Sequence, residues 1–167
     1  MNDKVIVELD RNELLPFIPL LAEIECGNHF CSDNQEHLDW LNGKIDSRIA
    51  CGTRFYGLFS KDNEIMGVVG VQIEQKLFCS GSAEVVDIGV VDSHRRKGLG
   101  SKLLSYAIEK ATEAGAHAVF ARTYAADTET IAFYGRNLFY PVAIIPDTNG
   151  PNDEGDIVMR RLLNRKS

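Results

Sequence analysis

The stretch VVDSHRRKGLGSKLL, running from Val90 to Leu104, gathers Arg95, Arg96, Lys97 and Lys102 around Gly98 and Gly100. An apolar run gives way there to an amphipathic one, which predicts a loop leading from the end of a strand into a helix. Such a loop presents unpaired backbone amides, and the aligned peptide dipoles leave partial positive charge at the helix start. Glycines let the backbone bend tightly and approach a ligand with no Cβ in the way. Each exposed cation adds about 0.3–1 kcal/mol, so the amides set the geometry and the cations assist capture. The chemistry suited to this stretch is the binding of an anion, a phosphate or diphosphate; the plain alternative is a solvated basic helix start.

Two common phosphate loops do not fit. The loop of the nucleotide hydrolases needs GxxxxGK followed by Ser or Thr, whereas Gly100 is followed by Ser101 and Lys102 with no glycine five residues before it. A dinucleotide fingerprint needs GxGxxG, and the residue at the third glycine position is Leu103.

The rest of the chain makes this basic cluster a local exception. Its 167 residues carry a formal charge of -6, with a pI near 5.2, 44% hydrophobic and 25% charged residues. That is the composition of one globular domain with a proper core. The acidic balance argues against nucleic acid as a partner, which requires cations spread over a face. The start, MNDKVIVELDRNELL, lacks the pattern of a signal peptide, and no run approaches the ~20 apolar residues of a membrane span, so a cytoplasmic protein without a membrane partner is expected.

Cys26, Cys31, Cys51 and Cys79 lack CxxC spacing and read as reduced thiols. Cys26, His29, Cys31 and His37 crowd into CGNHFCSDNQEH, yet the spacing matches no common structural zinc pattern, and no metal is expected.

The elements that must position the basic loop form one series. Val5–Leu9 reads as a strand, followed by a helical region from about Asn12 interrupted by Pro16 and Pro19, and a polar helix around Asp33 to Leu41. FYGLFS and EIMGVVGVQI, joined by KDN, read as a hairpin, and AEVVDIGVV as the strand before the loop. Leu99, Leu103, Leu104, Ala107, Ile108 and Ala111 then fall on one helical face, with Gly115 as the cap. AHAVFAR is a further strand, DTETIAFYGRN a helix opened by an Asp or Thr cap, and YPVAII and DIVMRRLL are closing strands. The order predicts a single α/β domain with a mixed, mostly antiparallel sheet flanked by helices.

Arg95, Gly98 and Gly100 resemble the acetyl-CoA loop of the GNAT family of N-acetyltransferases, whose pattern is Arg or Gln, two residues, Gly, one residue, then Gly or Ala. DIGVV upstream is similar to that family's central strand, and DTETIAFYGRNLFYPV downstream to its second motif. The likeness runs from about Phe55 to Leu163, so residues 55–163 are expected to form the cofactor-binding core and residues 1–54 an acceptor-side part. Two positions depart from the pattern. Asp127 stands where many relatives have Asn, and Leu138 where Gly is usual, so Asn137 is expected to take the left-handed turn in its place.

The resemblance implies a co-substrate, acetyl-CoA, whose pantetheine pairs with the backbone near Ile88 and Val90. Its diphosphate would rest on the amides of Arg96, Lys97, Gly98, Leu99, Gly100 and Ser101, with Arg95 and Asp127 near by. It implies direct transfer of the acetyl group to a primary amine, on a small molecule or a protein. An amine is mostly protonated at neutral pH, so a base is needed. Glu84, which matches the carboxylate that serves some members, is the favoured base, Asp87 is the nearer alternative, and water or no dedicated base is the third. Strand alternation places the two carboxylates on opposite faces. Tyr134, in AFYGRN, matches the tyrosine that donates a proton to the leaving thiolate, its alternative being a packing role beside Phe133. An acidic loop with Asp147, Asp153, Glu154 and Asp156 would either attract a cationic acceptor or be merely solvated. Binding of acyl-CoA without catalysis, as a sensor or interaction module, is the other class of function, and the exposed sheet edges of such a domain leave a homodimer open.

Overall fold

A computed structural model describes residues 5–26, 33–74, 81–148 and 150–163. The elements are β1 (Val5–Leu9), α1 (Ile18–Cys26), α2 (Gln35–Ala50), β2 (Thr53–Phe59), β3 (Ile65–Glu74), β4 (Ser82–Val90), α3 (Leu99–Glu113), β5 (Ala118–Tyr124), α4 (Thr128–Arg136), β6 (Tyr140–Ile145) and β7 (Asp156–Leu162). The strands hydrogen-bond in the order β1-β2-β3-β4-β5-β7-β6. β4 and β5 run parallel, while β1 with β2, β2 with β3, β5 with β7 and β6 with β7 run antiparallel. The mixed, mostly antiparallel sheet expected from the order of elements is therefore observed. No helix among the described residues is long and apolar enough to cross a membrane. His29, Cys31 and Cys79 lie outside the described residues, and Cys51 is a free, exposed thiol.

The chain divides into two compact units. The first joins Met1–Gln72 to Asp87–Ala107. Its core is built from Leu14, Phe17, Leu21, Leu41, Ile45 and Phe55, all buried. Pro19 does not interrupt a helix. It is the second residue of α1, where a missing N–H is no loss because that amide has no partner within the helix. The second helix is also longer than its polar start suggested. Asn34 caps it by accepting a bond from the Glu36 amide at 2.9 Å, and it continues to Ala50 because Leu41 and Ile45, one turn apart, both bury. α1 packs closely on β4 at Gly89, where any Cβ would lie 2.6 Å from the Cδ1 of Ile24.

The second unit joins Ile73–Val86 to Ile108–Ser167. Ala118, Val119, Ala121 and Met159 are among its deeply buried positions, with Tyr134 and Phe139 beside each other at a ring-centroid distance of 5.3 Å. β6 is exposed along its whole length, although it reads YPVAII. The apolar stripe of α3, whose residues up to Ala107 belong to the first unit, is buried at every one of its six positions, as its spacing predicts.

The turn after α4 corrects one expectation. Asn137 stays at φ -97, held by its own side chain, whose Nδ2 donates to the Phe133 carbonyl at 2.9 Å. The left-handed step falls on Leu138, at φ 67 and 70% exposed. A Cβ in that conformation costs about 1–2 kcal/mol, and an exposed side chain recovers little of it by packing. Leu138→Gly is therefore expected to stabilise the protein by about 1 kcal/mol, seen as a rise in Tm of about 2–4 °C in thermal unfolding. An unchanged or lower Tm would show that Leu138 carries no strain.

Candidate active site

Burial along β4 alternates. Ala83, Val85 and Asp87 point inward on one face, and Glu84, Val86 and Ile88 are half-buried on the other. This is the opposite-face placement that a period of two dictates. The parallel ladder between β4 and β5 runs from Ser82↔Ala118 to Val85↔Ala121, while β4 continues to Val90. Ile88 and Val90 thus lie past the last parallel pair. The Val90 carbonyl accepts a bond from Arg95 Nε at 2.9 Å.

The basic loop follows a single 3-10 turn at Asp92–His94. Arg96 and Gly98 both take positive φ, 60 and 76, and Gly98 is the residue at which the chain enters α3. Gly100 does not turn the loop, since it already belongs to the helix as its second residue. The first backbone bond of α3 runs from the Lys102 amide to the Gly98 carbonyl, at 3.1 Å. The amides of Leu99, Gly100 and Ser101 therefore have no partner within the helix and carry its positive dipole end. Two of the loop's cations hold its shape. Arg95 pairs with Asp92 at 2.8 Å and with Glu23 of α1, and Lys97 donates to the Ser93 carbonyl at 2.8 Å.

The two candidate carboxylates meet different surroundings. Glu84 forms an ion pair with Arg122 of β5, Nε to Oε1 at 2.8 Å, with both side chains partly exposed. Asp87 has no exposed side-chain area and contacts Arg48 of α2 through Oδ2. Arg48 reaches Glu25 of α1 with its other terminal nitrogen at 2.5 Å, and Lys44 contacts Glu25 as well. Burial, then the hydrogen bond with Glu25, pushes the Asp87 carboxyl from its ordinary 3.8 up to about 7, against the opposing pull of Arg48. Burial also pushes Glu25 upward, but its bonds to Asp87 and Lys44 and the charges of Arg48 and Lys44 outweigh this and hold it below the ordinary carboxylate range.

On α4, Asp127 is the N-cap, accepting from the Thr130 amide at 3.0 Å, and Tyr134 is buried against Phe133 and Phe139. In the acidic loop, Asp147 accepts from the Asn152 amide at 2.7 Å and Asp153 from the Gly155 amide at 3.1 Å, so two of its carboxylates fold the loop itself. Glu25, Lys44 and Arg48 are the residues that sequence reasoning missed. The single signal available was Lys44 and Arg48 at i and i+4, which aligns them on one face of α2 without naming a partner. No group of three or more His, Cys, Asp or Glu suited to a metal occurs among the described residues.

The parallel pairing of β4 with β5 belongs to an α/β domain, in which the loop after β4 turns at Gly98 into the start of α3. The model of the acetyltransferase (GNAT) family matches residues 19–138, well over half the chain, and the chain belongs to that family. Among solved structures, a GNAT family acetyltransferase from Elizabethkingia anophelis with acetyl-CoA bound is similar at a TM-score of 0.74 and 18% identity, over 98% of this chain and 100% of that one. Aminoglycoside 6'-acetyltransferase type Ii is similar at a TM-score of 0.72 and 23% identity, over 98% and 99%. Mutant forms of a spermidine/spermine N-acetyltransferase from Vibrio cholerae are similar at 0.68 and 18%, over 96% and 95%. No curated protein sequence matches the chain significantly.

Proposed function

We propose that this acetyltransferase takes acetyl-CoA as co-substrate and passes the acetyl group directly to a primary amine. The observation that carries the reading is the loop after β4, where left-handed Arg96 and Gly98 deliver the chain into α3 with its first amides unpaired in the helix. That arrangement fits a diphosphate by its donors and its dipole. The backbone of β4 past Val85, at Ile88 and Val90, is the place proposed for the pantetheine, consistent with a solved relative described as holding acetyl-CoA.

Asp87 is proposed as the proton acceptor. A carboxyl with an affinity near neutrality is half in its basic form at the pH where an ammonium must be deprotonated, and it retains enough basicity to act. Glu84 is less suited, because its ion pair with Arg122 occupies one of its oxygens. Tyr134 is proposed to donate its phenolic proton to the departing thiolate, a role supported by its place in the AFYGRN motif. A primary amine as acceptor is supported by the relatives whose names specify spermidine, spermine or an aminoglycoside.

Titrating coenzyme A into isotopically labelled protein is expected to shift the amide signals of Arg96 to Ser101, and a panel of primary amines with acetyl-CoA to release free thiol. Undisturbed loop amides at saturating coenzyme A would overturn the binding mode. Binding without thiol release on any amine would favour an acyl-CoA sensor.

A further inference from the structure

A buried base must also lose the proton it gains, and the surroundings of Asp87 supply a route. Asp87 has no exposed side-chain area, whereas Glu25 keeps 10% and Lys44 34%. Arg48 spans both carboxyls from α2, with Nη1 on Asp87 Oδ2 and Nη2 on Glu25 Oε1 at 2.5 Å. Lys44, one turn before Arg48, contacts the remaining oxygen of Glu25. Among the described residues, Glu25 from α1, and Lys44 and Arg48 from α2, are the charged groups that face Asp87 or its immediate partner. Asp87 Oδ1, fully buried, meets no donor among the described residues. An orphaned acceptor beside a second carboxyl is satisfied by a proton held between the two. With both carboxyls ionised, the two acids and two bases sum to zero charge; with the shared proton they sum to +1.

We propose that Arg48 and Glu25 are positioning residues for the proton acceptor: Arg48 holds Asp87 beside Glu25 so that the two carboxyls share one proton, and the proton taken from the acceptor leaves through Glu25. This rests on the reading of Asp87 as the base. In the first step an N–H bond of the acceptor ammonium breaks, its electron pair stays on nitrogen, and the proton, relayed by a water because Asp87 has no exposed side-chain area, forms an O–H bond on Asp87. The proton then passes to the Glu25 carboxylate, breaking one O–H bond and making another. Glu25 releases it to water on the side where Lys44 is exposed, and both carboxylates are restored. Bidentate bridging of this kind needs a planar guanidinium, which a lysine cannot imitate.

The test measures two quantities in the full chain, for the wild type, Glu25→Gln, Arg48→Gln and Arg48→Lys. One is the carboxyl-carbon NMR titration of Asp87; the other is the acid limb of the kcat/KM profile with an amine acceptor. Glu25→Gln removes the anion that favours protonation of Asp87, so both midpoints are expected to fall by about one pH unit. Arg48→Gln removes the cation that opposes it, so both are expected to rise by about as much, with Arg48→Lys between Arg48→Gln and the wild type. The carboxyl titration needs no activity. If it stays at the wild-type midpoint in folded Glu25→Gln and Arg48→Lys, the shared proton is overturned. If it moves as expected while the rate limb does not, Asp87 is not the proton acceptor and the proposal fails with the reading beneath it.

Discussion

Asp87→Asn is expected to lower kcat/KM at neutral pH by about 10²–10⁴-fold, the range by which a positioned acid or base accelerates a reaction. The substitution is close to isosteric, and the amide oxygen still accepts from Arg48, so the buried contact between α2 and β4 is retained. What is lost is an oxygen able to take a proton. The pH dependence supplies the sign. A base works unprotonated, and burial together with Glu25 has pushed the Asp87 carboxyl up to about 7, so the wild-type rate is expected to climb as pH rises through that region and level off above it. In Asp87→Asn this limb should be absent and the residual rate flat across it. Steady-state kinetics between pH 5.5 and 9 decide the matter, a range chosen to bracket an affinity near neutrality. A wild-type-like rate and limb in the variant would remove Asp87 from the chemistry and return attention to water or Glu84.

The second large effect is expected at Tyr134. Tyr134→Phe should depress kcat by roughly 10²-fold and leave the KM for acetyl-CoA within about twofold. The ring of Tyr134 packs against Phe133 and Phe139 at centroid distances of 5.2 and 5.3 Å, and phenylalanine keeps both contacts. Only the hydroxyl is removed, which separates the proton from the packing. An acceptor assay at saturating acetyl-CoA reads the difference, and a kcat within twofold of wild type would assign Tyr134 to the hydrophobic core alone. Donors with poorer leaving groups should suffer more from the loss, because proton delivery matters most where the departing anion is least stable.

Much of the fold was legible because its determinants are local. The hairpin of β2 and β3, the strand β4, the apolar stripe of α3 and the cap of α4 each depend on residues within one or two turns of each other. Asp127 caps α4 through the Thr130 amide as its type and position suggested, and Gly115, at φ 79, closes α3. The first third of the chain was harder to read. α2 is largely polar and buries only Leu41 and Ile45, so its periodicity is faint and its end at Ala50 follows from packing. The loop after β4 was legible as an anion seat, yet the division of labour within it was not. Gly98 turns the chain, Gly100 is helical, and Arg95 holds Asp92 and Glu23.

The sequence by itself determined the strand, the basic turn and the helix, and through alternation that Glu84 and Asp87 must part to opposite faces of β4. That the Asp87 carboxyl has its proton affinity raised toward neutrality was decided only by tertiary structure. Arg122 meets Glu84 across 38 residues of chain, and Arg48 meets Asp87 across 39. Proton affinity is set by the water excluded from a group and by the charges brought against it. Both depend on which distant segments pack over the strand, and no spacing along the chain records that.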